Sequence, residues 1–186
     1  MKRMSLLVGL LTCMAAGFLS AQDARLGILN QPAPAWGVQQ WLNLPKDKTA
    51  LDPAEYKGKV IYLYAFQSWC PGCHQQGFPT LKEIIARYGS DTNVAIVAVQ
   101  TAFEGFQSNG FEQAKQTARR YELKIPVGHS GTAQEPSLLM RRYRTGGTPW
   151  TIIIDRKGVV RFNDFHIEAR EAAKLIEQLK KGANKE

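Results

Sequence analysis

Two cysteines held one helical turn apart, in Trp69-Cys70-Pro71-Gly72-Cys73-His74, constrain this chain more than any other feature. The run before them, Val60-Ile61-Tyr62-Leu63-Tyr64-Ala65-Phe66, is apolar, β-branched and aromatic, and reads as a fully buried strand. The stretch after them carries Leu81, Ile84, Ile85 and Tyr88 at the spacing of one helix face. The motif therefore falls where a strand ends and a helix begins. Residues at i and i+3 lie on one helix face, within disulfide reach. The first cysteine is expected at the helix N-terminus, where unsatisfied N–H groups and the macrodipole favour a thiolate. Such a site is suited to thiol–disulfide chemistry.

The N-terminus is a targeting signal by pattern. Lys2 and Arg3 form a basic region, Leu6 to Leu11 begin an apolar run, and Leu19-Ser20-Ala21 offers a small-residue cleavage site before Gln22. The expected organisation is a signal peptide over 1–21 and one folded domain over 22–186, with export to the periplasm. A lipid anchor at Cys13 is disfavoured by Thr12 before it and by the apolar stretch that continues from Met14 to Leu19. Cleavage removes Cys13, so the remaining cysteines are Cys70 and Cys73. Disulfides persist in an exported protein. The net charge of +8 falls by two with Lys2 and Arg3. The remaining basic residues are scattered and lack interleaved aromatics, so nucleic acid is not an expected partner.

Further along, Pro32, Pro34 and Pro45 punctuate an irregular segment in which Trp36, Val38 and Trp41-Leu42 suggest a short hairpin. Strands are expected at 94–99, 150–154 and 159–162, the last two joined by a turn at Asp155-Arg156-Lys157-Gly158. Helices are expected over 110–122, 136–143 and 167–181. Ile125-Pro126-Val127 reads as a short edge piece. The sum is an α/β fold, a mixed sheet covered by helices on both faces.

Cys70-Pro71-Gly72-Cys73 after a strand, Gly147-Thr148-Pro149 before another, and Ile154-Asp155-Arg156-Lys157-Gly158 together resemble the thioredoxin superfamily. The exported signal, the Lys57-Gly58-Lys59 lead-in and the insert at about 103–146 are most similar to the TlpA/ResA-like periplasmic thiol–disulfide oxidoreductases. The resemblance implies a thioredoxin-like fold with an N-terminal hairpin and a central insert. It implies that Cys70 is the exposed nucleophile, Cys73 the resolving thiol, and Pro149 a cis-proline facing them. Thr148 would then offer backbone groups to an extended substrate, and Trp69 would shield one side of the thiol. The implied partners are exported protein thiols or disulfides, apocytochrome c among them, and a membrane redox protein that recycles the pair. No cofactor is implied.

Two departures from that family concern the resolving thiol. Tyr64 stands six residues before Cys70, where thioredoxins carry Asp, and Gln76 stands where the TlpA/ResA-like proteins carry Glu. Cys73 and Pro79 are also one residue further apart than usual, which suggests a π-bulge. His74 is a candidate proton acceptor for Cys73, with a solvated surface histidine as the plainer reading; His129 and His166 are assigned no role.

Three chemistries compete. Disulfide exchange uses the pair directly. A c-type haem protein would use Cys70-Pro71-Gly72-Cys73-His74 as C-x-x-C-H, but the segment continues a buried strand in an α/β pattern. A peroxiredoxin-type peroxidase would want threonine at the position of Gln67. Zinc is disfavoured because two cysteines without a second ligand pair leave a tetrahedral shell incomplete.

Overall fold

A computed structural model describes residues 26–182; the expected signal peptide and Cys13 lie outside them. Six strands form one sheet: β1 (Gln40–Leu42), β2 (Val60–Phe66), β3 (Val94–Thr101), β4 (Val127–Ser130), β5 (Trp150–Ile154) and β6 (Val160–Phe165), in the spatial order β1-β4-β3-β2-β5-β6. The pairs β2/β3 and β3/β4 are parallel, while β1/β4, β2/β5 and β5/β6 are antiparallel. Helices α1 (Phe78–Tyr88), α2 (Phe111–Arg120), α3 (Leu138–Tyr143) and α4 (Ala169–Lys180) cover it.

The central strands are continuous apolar runs because both of their faces are covered. Along β2, Val60, Tyr62, Tyr64 and Phe66 pack with Leu81, Ile84, Ala118 and Ile176 of α1, α2 and α4. The alternate residues Ile61, Leu63 and Ala65 pack on the opposite face with Trp36, Leu139, Tyr143 and Trp150. Tyr88 donates its hydroxyl to the Ala173 carbonyl at 3.2 Å, which ties α1 to α4. No helix among the described residues is long and apolar enough to cross a membrane.

Two expectations are corrected. The N-terminal segment forms no hairpin: Gln40–Leu42 pairs with β4, with Gln40 opposite His129. Asn43 anchors that pairing by donating to the carbonyls of Leu123 (2.8 Å) and Ile125 (3.1 Å). Gly128 permits the approach, since a Cβ there would lie 2.6 Å from Val38 and 3.1 Å from the Trp41 ring. The piece at 125–127 is likewise not an edge. Pro126 precedes the first residue of β4, so its missing N–H costs the ladder nothing, and its carbonyl accepts from Ala98 N–H at 3.1 Å. The strand that follows is buried between β1 and β3. The final strand also runs three residues beyond 162, to Phe165.

Candidate active site

Strand β2 ends at Phe66, residues 67–69 turn the chain, and helical backbone begins at Pro71, so Cys70 stands at the helix N-terminus. Both cysteines are free. Cys73 N–H points at Cys70 Sγ at 3.2 Å, a backbone donor aimed where negative charge on that sulfur is stabilised. The same sulfur lies 3.6 Å from the Thr148 carbonyl oxygen. The Thr148–Pro149 bond is cis, and the Pro149 ring sits over Gly72, where a Cβ would come within 3.3 Å of its Cδ. Residues 78 positions apart thus meet at one sulfur, as the resemblance implied. Trp69 is 46% exposed beside them, a surface tryptophan.

Both cysteines are buried, which corrects the exposed nucleophile that the resemblance implied: Cys70 retains 7% exposure and Cys73 none. Burial first, and the Cys70 sulfur second, push the Cys73 thiol up to about 12; the Gln67 backbone and the Tyr64 hydroxyl offset this only in part.

The extra residue before Pro79 is absorbed as expected. Cys73–Gly77 forms a π turn that continues directly into α1, and Phe78 N–H closes it onto the Cys73 carbonyl. That carbonyl also accepts the Tyr64 hydroxyl at 3.3 Å. Burial, and next the neighbouring Cys73, hold the Tyr64 phenol protonated far above its ordinary range, so it serves as a donor. Gln76 is exposed on the outer helix face.

His74 fits neither of its expected readings. Its Nε2 faces the Ser68 carbonyl at 2.7 Å, which requires a proton on that nitrogen, and Nδ1 is hydrogen-bonded with the Tyr121 hydroxyl at 2.7 Å. The ring also stacks with Phe78 and Tyr121. Both nitrogens are thus engaged away from Cys73, and His74 clamps the motif turn to the residue that follows α2. The same geometry is a poor fit to haem attachment: Cys73 is enclosed and the histidine nitrogens are bound to protein groups.

A polar cluster behind the motif escaped the sequence reading. Ser68 Oγ donates to Gln100 Oε1 and accepts from Thr117 Oγ1, while Asn109 Oδ1 receives Ser68 N–H at 2.9 Å. Gln100 Nε2 reaches the carbonyls of Asn109 and Gly110, both at 2.8 Å, and His129 Nδ1 at 3.1 Å. His129 is thus a buried structural partner, and its burial lowers its pKa. A polar Gln100-Thr101 ending the apolar run of β3 was the available signal. Among the described residues no cluster of His, Cys, Asp and Glu could hold a metal ion.

The family description Redoxin matches residues 28–179. The chain belongs to the Redoxin family. Its chemistry is that of the thioredoxin-like thiol–disulfide oxidoreductases. This Redoxin chain is similar to a crystallised thioredoxin-like superfamily protein, at 30% identity and TM-score 0.74, covering 82% of this chain and 97% of the other. It is similar to a thiol-disulfide isomerase from Corynebacterium glutamicum at 27% identity and TM-score 0.70, covering 81% and 96%. A curated relative, thioredoxin-like protein YneN of Bacillus subtilis (strain 168), is 25% identical over 181 residues, 93% of this chain and 95% of that one.

Proposed function

We propose that this protein is an exported, TlpA/ResA-like oxidoreductase that exchanges its Cys70–Cys73 pair with protein clients through a mixed disulfide. One observation carries the reading: a single sulfur, Cys70 Sγ, stands at the helix N-terminus against the Thr148 carbonyl, with its partner sulfur buried behind it. Cys70 attacks one sulfur of a client disulfide, forming the Cys70–client bond and releasing a client thiolate. Cys73 then attacks Cys70, the Cys70–client bond breaks, and the second client sulfur leaves. Two electrons pass from the dithiol to the client. The Cys73 proton passes to the client thiolate released in the first step, since Tyr64 is held protonated, Gln76 does not titrate and both His74 nitrogens are bonded elsewhere. The reverse order oxidises a client dithiol, and a membrane redox partner resets the pair in either direction. Thr148 and Pro149 form the edge on which an extended client lies, and Trp69 borders the reacting sulfur. The basic, apolar, small-residue pattern of residues 1–21 supports export.

The peroxidase alternative lacks its threonine hydroxyl: Gln67 occupies that position, and its side chain is buried. The test is Cys73→Ser in cells. Mixed disulfides between Cys70 and exported proteins should accumulate on non-reducing gels. If Cys70 stays reactive and no such species form, protein exchange is refuted.

A further inference from the structure

A cleft of about 340 Å³ opens on the flank of the motif. Trp69, which precedes Cys70, and His74, which follows Cys73, form part of its wall. Neither Thr148 nor Pro149 lines it, so it is distinct from the edge assigned to the client backbone. Gln113, Gln116 and Arg120 supply another wall, at i, i+3 and i+7 on the outer face of α2. Ala114 and Ala118 of that helix are buried, and Thr117, also buried, lines the cleft beside Ser68. Gln107 contributes a third amide. The lining contains one guanidinium, three carboxamides and no carboxylate.

We infer that this cleft is a specificity subsite for an acidic side chain lying within two or three positions of the client's reacting cysteine. The inference rests on the exchange reading above. The electrostatics favour an anion: the Arg120 guanidinium lies over the Tyr121 ring, 5.6 Å from its centroid, and has no carboxylate partner among the described residues. A planar guanidinium binds a carboxylate through two parallel hydrogen bonds, and carboxamides beside it donate further. The inner wall is pre-formed, because Ser68 is tied to Asn109, Gln100 and Thr117 and His74 is clamped at both nitrogens. Little ordering is then needed on binding. Trp69 is the chain neighbour of Cys70 and part of the cleft wall, so the cleft adjoins a client bonded to Cys70, whose extended chain advances about 3.3–3.6 Å per residue.

Two peptide disulfides that differ only in Glu or Gln two residues from the cysteine test this, with kcat/KM for reduction as the readout. The wild-type protein should prefer the Glu peptide by roughly three- to tenfold at low salt, and less at high salt. Arg120→Gln should bring the ratio near one, and Arg120→Glu should invert it; Arg120 is exposed, so neither variant threatens folding. Equal rates on both peptides in the wild type, or a preference for Glu that survives Arg120→Glu, would overturn the subsite and leave exchange intact. No turnover of either peptide, with Cys70 reactive toward alkylation, would instead refute the exchange reading and the subsite with it.

Discussion

Gly77→Ala is a sharp test of how the resolving cysteine is held. Gly77 has ordinary helical dihedrals, φ −65° and ψ −50°, so backbone geometry does not demand glycine. Helix propensity alone would make alanine the better residue by about 0.5–1 kcal/mol. Packing decides the opposite sign. A Cβ at 77 would stand 2.0 Å from Tyr64 Oη, 2.6 Å from its Cζ and 2.8 Å from its Cε2. The ring has little room to retreat, being stacked on Phe66 and edge-on to Phe78 with centroids 6.0 and 5.3 Å away. Overpacking of this kind costs roughly 1–3 kcal/mol. Losing the hydroxyl's bond to the Cys73 carbonyl adds about 1 kcal/mol. After the propensity gain, a net loss of about 2 kcal/mol remains, a Tm drop of about 4–8 °C for a domain of this size. Thermal unfolding of the reduced protein by circular dichroism measures it, and a disulfide-reduction assay reads the displaced Cys73. A double-mutant cycle adds a control: Tyr64→Phe should cost less in the Gly77→Ala background than in the wild type, because the hydroxyl bond is already lost there. A Gly77→Ala protein that melts at or above the wild-type temperature would refute the interlock.

Two further outcomes follow from the site. The folded state raises the Cys73 thiol from about 9 to about 12 and so binds its proton more tightly than the unfolded chain. The associated stability is complete below about pH 9 and is lost as pH climbs toward about 12. Urea melts of the reduced protein should therefore lose stability over that window relative to Cys73→Ser, a comparison that cancels the buried tyrosines; parallel curves would contradict the burial argument. His74→Ala removes the bonds to Ser68 and Tyr121 and should cost about 1–3 kcal/mol, and unchanged melting would show that the clamp carries no load.

Much of the site was legible because it is written in local pattern. The buried strand before Cys70, the amphipathic spacing after Cys73, and the extra residue ahead of Pro79 are features of neighbouring residues, and the strand, helix and π turn follow them. The Gly147-Thr148-Pro149 motif marked its own approach to Cys70 by resemblance, which the 3.6 Å contact bears out. Pairing between distant segments was not legible. Hydrophobic periodicity says that Trp36, Val38 and Trp41 are inward, but not that the strand after them closes the free edge of β4. That choice is made by Asn43 reaching carbonyls some 80 residues away and by the missing side chain at Gly128.

The same limit hid the polar machinery. Ser68, Gln100, Asn109, Thr117 and His129 come from separate segments, and each alone is an ordinary polar residue. The sequence by itself determined the dithiol, the elements that carry it and the absence of the usual carboxylates near Cys73. Only the tertiary structure decided that both sulfurs are buried, which atoms His74 binds, and that Arg120 stands in a cleft beside Trp69. The physical reason is that local periodicity sets which way a side chain points. Its partners are chosen by the long-range packing that brings other segments against it.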